Sequence, residues 1–106
     1  MFDEDSAQLR KQQRFLHEVE VAIRDTNRRI IHERIPDLDR QRFVTFATFV
    51  AQLRADYLAE ALAAQQAPER AQAIESLRRH RRAYVEARDA FAALERAVER
   101  GYVDIG

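Results

Sequence analysis

The sequence has no cysteine, no tryptophan, two glycines and two prolines in 106 residues. Without cysteine there are no disulfides, no thiolate metal sites and no thiol nucleophiles. Average usage would place about seven glycines and about five prolines in a chain of this length. The four present here, Pro36, Pro68, Gly101 and Gly106, cut the chain into long uninterrupted pieces. Sandwiches and barrels need a turn signal about every 8–12 residues, so they are excluded, as are collagen-like and low-complexity chains. An excess of either charge is also missing, with 18 basic and 18 acidic residues. Nucleic-acid binding usually leaves a basic footprint, and none is seen globally. No apolar run approaches the ~18 residues of a membrane span. The acidic opening Met1-Phe2-Asp3-Glu4-Asp5 lacks the basic and apolar regions of a secretory leader. No glycine-rich loop offers a phosphate cradle, and the two serines, Ser6 and Ser76, stand in no nucleophile motif.

What is present is 46% hydrophobic and 34% charged residues, the composition of long helices with one wet face. The length predicts one domain able to bury roughly two thirds of its unfolded surface. Lys11 is the only lysine, and the other basic residues are arginine, which keeps its charge and pairs bidentately with carboxylates. Arginine- and alanine-rich usage fits a GC-rich bacterial genome, and a cysteine-free chain without a leader is expected in the cytoplasm.

Periodicity and breakers predict helices over about 5–35, 39–66 and 68–100, then a short tail at 101–106. Asp5-Ser6-Ala7-Gln8 reads as a capping box. Leu9, Leu16, Ile23 and Ile30 then recur every seven residues, interleaved with Gln12, Val19, Thr26 and Glu33. Pro36 ends the first helix, because the residue before a proline disfavours helical geometry. Asp37 or Asp39 caps the second helix, whose seam is Phe43, Phe46, Val50, Leu53, Tyr57, Glu60 and Ala64. The β-branched and aromatic run Phe43–Val50 also has strand character, but the alanine-rich, breaker-free stretch after it argues for helix. Pro68 and Glu69 suit the first turn of the third helix. Its registers are Leu77, Tyr84, Phe91 and Val98 with Ala73, His80, Ala87 and Leu94, and Gly101 is a left-handed cap. The expected fold is all-α: an antiparallel up-down-up bundle of three long helices. Helix 2 is apolar on more than one side, so pairing as a homodimer is expected.

With turns centred near residue 37 and near 67 or 68, Phe43, Phe46, Phe49 and Val50 form the apolar surface most suited to a partner. The same arithmetic brings His17, Asp56, Glu60 and His80 into one polar layer. Glu and His on facing helices can hold metal, but neither histidine follows a glutamate at the di-iron spacing. Arginine pairing at the bundle margin is the simpler reading, and no metal or cofactor is expected. Arg78, Arg79, Arg81 and Arg82 flank His80 in the densest charge run. They are anion-contact candidates, although successive residues fan around a helix by about 100° and cannot share one face.

Asp37-Leu38-Asp39-Arg40-Gln41-Arg42 resembles the acidic-basic start of the second helix of small all-helical chorismate mutases. The resemblance spans six residues. The lysine that family carries between its first two helices is missing, and no site residue is carried over. The function expected from the residues is protein–protein contact through helix 2, as an adaptor, chaperone-like binder or regulatory subunit. The rivals are a small enzyme or metal protein built on the polar layer, and a polyanion binder built on the arginine cluster.

Overall fold

Local signals set three helices: α1 (Phe2–Arg34), α2 (Arg40–Ala64) and α3 (Arg70–Glu99). The structure is a computed structural model. It describes residues 2–106, with side chains from Asp3 onward, and Met1 lies outside the described residues. Helix α1 starts earlier than the capping box predicts, and Ser6 lies inside it. Asp3, Glu4 and Asp5 occupy the first turn, where their charges complement the positive end of the helix dipole. The last turn closes through the Ile35 N–H on the Ile31 carbonyl at 2.8 Å, just before Pro36. Of the two candidate caps for α2, Asp39 is used: its carboxylate accepts from the Arg42 N–H at 2.8 Å. The Arg42 guanidinium donates back to the Asp37 carbonyl and tightens the same corner. Pro68 does not open α3. It lies in the turn that reverses the chain, and the helix begins at Arg70 after Glu69 in extended geometry. Helix α3 ends in a Schellman motif. Gly101 has φ +74°, its N–H reaches the Val98 carbonyl at 3.0 Å, and the Tyr102 N–H reaches the Ala97 carbonyl at 2.8 Å.

Helices α2 and α3 form an antiparallel hairpin on the seams read from periodicity. Every seam position of both helices is at least half-buried, and the Phe43–Val50 stretch is helical. Phe91 is sandwiched between Phe43, at 5.0 Å between ring centroids, and Phe46, at 5.7 Å. Tyr57 stacks on Tyr84 at 6.1 Å. Turn arithmetic alone would place Tyr57 opposite Arg78. Helical side chains lean toward their own N-terminus, which on antiparallel helices tilts these two rings toward each other and closes the offset.

Helix α1 does not lie along this hairpin. It makes no backbone approach to either α2 or α3, so a single chain does not close the up-down-up bundle. The radius of gyration is 22.6 Å, against about 13 Å for a compact chain of this size, and the molecule measures 76 × 38 × 16 Å. The cause is a joint built by the C-terminal tail. Leu38, between α1 and α2, pairs with Ile105 in an isolated parallel β-bridge, and the Gly106 N–H donates to the Leu38 carbonyl at 3.1 Å. Leu38 and Val103 are 5% and 3% exposed, the two most buried of the described residues. Asn27 and Ile31 are half-buried near the C-terminal end of α1, and Ile35, just past that end, continues the same spacing. On its flank, Asp104 accepts from Arg28 at 3.2 Å and lies 4.0 Å from His32. These ion pairs are exposed and add little to stability, so apolar burial holds the joint.

Leu38→Ala is therefore expected to lower stability by about 2–5 kcal/mol in urea unfolding, the range for truncating a buried leucine. Gly101→Ala is expected to cost about 1–2 kcal/mol from backbone conformation alone, since a Cβ there meets nothing within 4 Å.

Candidate interaction surface

The four residues selected from sequence as a partner surface divide between two environments. Phe43, Phe46 and Val50 are half-buried in the α2–α3 seam, while Phe49 is 49% exposed and meets Phe46 edge-on at 6.1 Å. Helix α3 thus engages three of the four, and Phe49 stands at the margin.

Helix α2 carries a second apolar face that the sequence reading did not isolate. Val44, Thr48, Ala51, Ala55, Leu58 and Leu62 follow one another at alternating spacings of four and three, which is a full a/d heptad stripe, and all six are exposed. Leu62 is 70% exposed. The one polar member is already satisfied: the Thr48 hydroxyl donates to the Val44 carbonyl at 2.9 Å, so covering this face strands no hydroxyl. Near the joint the stripe opens into an apolar groove lined by Arg40, Phe43 and Val44 from α2, Glu95, Val98 and Glu99 from α3, and Ile105. The spacing signal was present in the sequence. The stronger aromatic seam on the same helix masked it.

Helix α1 supplies a matching surface. Its seven-residue series Leu9, Leu16, Ile23 and Ile30 is exposed, as is Phe15 beside it at 62%. Asn27, Ile31 and Ile35 are half-buried near the joint, while the heptad series is exposed, with Ile23 bordering a recess shared with Glu99, Arg100 and Tyr102 of its own chain.

The proposed polar layer is not assembled within one chain. His17 is exposed on the projecting α1. Glu60 and His80 lie at the α2–α3 seam, half-buried, and Asp56 is exposed. His80 Nδ1 is 2.8 Å from the Ser76 carbonyl, an ordinary within-helix contact. Among the described residues no group of three or more His, Asp or Glu is placed to hold a metal ion. In the arginine run, Arg78, Arg81 and Arg82 border one shallow recess with Val85 and Glu86, and Arg79 is not part of it. Arg78 is 3.6 Å from Glu75, one helical turn before it. Among the described residues no helix is long and apolar enough to cross a membrane.

The most developed electrostatic feature is Tyr84, at the centre of the hairpin. The Arg54 Nε–H donates to its hydroxyl at 3.0 Å, and the Arg54 and Arg88 guanidinium carbons lie 5.4 and 5.5 Å from its ring centroid. The Arg54 hydrogen bond pulls the phenol below its ordinary value of 10.0; burial opposes this, and the charges of Arg54 and then Arg88 reinforce it. The folded value is thus lower than the unfolded one. The charge-dependent part of this contact is present above the unfolded value and is lost as pH falls through the folded value. At neutral pH only the neutral hydrogen bond and the stacking remain. In an alkaline titration followed by phenolate absorbance, Tyr84 is expected to ionise before an ordinary tyrosine, and Arg54→Gln to move it back upward.

No family model matches the chain, and neither the curated proteins nor the solved structures include a match to it.

Proposed function

We propose that this chain is a helical protein–protein interaction module, an adaptor, chaperone-like binder or regulatory subunit, that works through the apolar outer face of α2. The observation that carries this reading is the exposed heptad stripe Val44, Ala51, Leu58 and Leu62 on a helix whose other side is already occupied by α3. A stripe of this spacing is the contact surface of a helix packed on a helix, and its alanines allow close approach. The binding surface lies beside the aromatic seam rather than on it. Phe43, Phe46 and Val50 hold α2 in place, and Phe49 extends the apolar rim.

The double substitution Val44→Asp/Leu58→Asp tests the reading. Both positions are exposed, so helix content by circular dichroism should stay unchanged. The unmodified chain, purified from its own cells, should run in a complex heavier than 12.4 kDa, and the variant should run at 12.4 kDa. An unmodified chain found alone at 12.4 kDa, or a variant that keeps the complex, would overturn the proposal.

A further inference from the structure

We infer that the occupant of α2's outer face is α1 of a second copy of this chain, so that two copies exchange their first helices and each completes the three-helix bundle of the other. The inference rests on the interaction-module reading and adds to it the identity of the partner.

Area is the first argument. The chain exposes 8960 Å², whereas a compact monomer of 12.4 kDa exposes about 6,100 Å². The surplus, about 2,800 Å², exceeds the roughly 800 Å² per partner of a standard interface. Only four of the described residues, Leu38, Tyr84, Ala87 and Val103, are buried within one chain.

Complementary pattern is the second. The series Leu9, Leu16, Ile23 and Ile30 on α1 and the series Val44, Ala51 and Leu58 on α2 share one seven-residue period. Leu9 to Ile30 spans about 32 Å and Val44 to Leu62 about 27 Å at the helical rise, so the stripes are of similar length. The bulky positions of α1 suit the alanine-lined centre of the α2 stripe, as knobs suit holes.

The joint is the third. The chain's own α1 is held off the end of the hairpin, because Leu38 is bridged to Ile105 and the Asn27-Ile31-Ile35 stripe is already used. Its heptad series makes no backbone approach to its own α2, and the Leu38–Ile105 bridge occupies the connection between the two helices. Reciprocal exchange about a two-fold axis covers both stripes of both copies and closes the assembly, with no edge left to polymerise.

The cysteine-free sequence makes a direct test simple. Ile23→Cys provides a single thiol at an exposed position, to be labelled with a photo-crosslinker and mixed with isotopically heavy, unmodified chain. Light scattering of the unmodified chain should give twice 12.4 kDa, and Val44→Asp/Leu58→Asp should halve that mass at unchanged helix content. Crosslinks between light and heavy chains should fall on heavy peptides within residues 44–62. Leu16→Cys, labelled in the same way, should repeat the result one helical repeat further along. Crosslinks that fall on heavy α1 would show that the first helices pair with each other and would overturn the exchange. A monomer that binds a different protein through Val44 and Leu58 would overturn this inference and leave the interaction module standing. A folded monomer that binds nothing would remove both.

Discussion

Burial of Leu38 and Val103 at one end of the hairpin is the constraint on which the shape of this protein depends. Leu38 lies in the α1–α2 connection and Val103 in the tail that follows α3, and the Leu38–Ile105 bridge ties the two segments together. A five-residue connection ending in a helix cap would ordinarily leave two consecutive helices free to fold side by side. Here the tail occupies the corner, and its backbone pairs with Leu38. The stripe of α1 that meets the joint is Asn27-Ile31-Ile35, and the helix leaves at the angle that stripe imposes. The left-handed turn at Gly101 makes this possible, because it directs the tail back toward α1 instead of extending α3.

The hairpin itself is held by a ladder of rings. Phe43, Phe46 and Phe91 fill the end near the joint, and Tyr57 and Tyr84 fill the middle with Arg54 and Arg88 against the ring. Toward the Gln65–Glu69 turn the seam narrows to alanine, Glu60 and Ser76. The aromatic end is thus the strong end, and it adjoins the apolar groove and the joint. A helix with large side chains on one side and a heptad stripe on the other has two packing surfaces. Its own chain fills only one of them.

Much of this was legible from residue order alone. The Phe43-to-Ala64 and Ala73-to-Val98 seams, the Asp39 cap, the stop before Pro36 and the Gly101 turn all depend on spacing or on one residue's backbone preference. Ser6 and Pro68 were misjudged for the same local reason: each suits a helix start, but the acidic first turn of α1 and the reversal into α3 took precedence. The polar layer depends on more than local signals, since within one chain His17 stands on α1, which makes no backbone approach to α2 or α3. His17 was placed beside Asp56, Glu60 and His80 on the assumption that each helix folds back on its predecessor. Nothing in the residues 35–39 themselves contradicts that assumption, because the contact that prevents it comes from the far end of the chain.

By itself the sequence determined the all-helical class, the approximate extent of each helix and the faces on which α2 and α3 meet, since helical periodicity, capping and breakers act within a few residues. Only the tertiary structure decided which apolar faces are satisfied within one chain and which are left open. That choice turns on Leu38 pairing with Ile105, a backbone bridge between distant residues that no local spacing encodes.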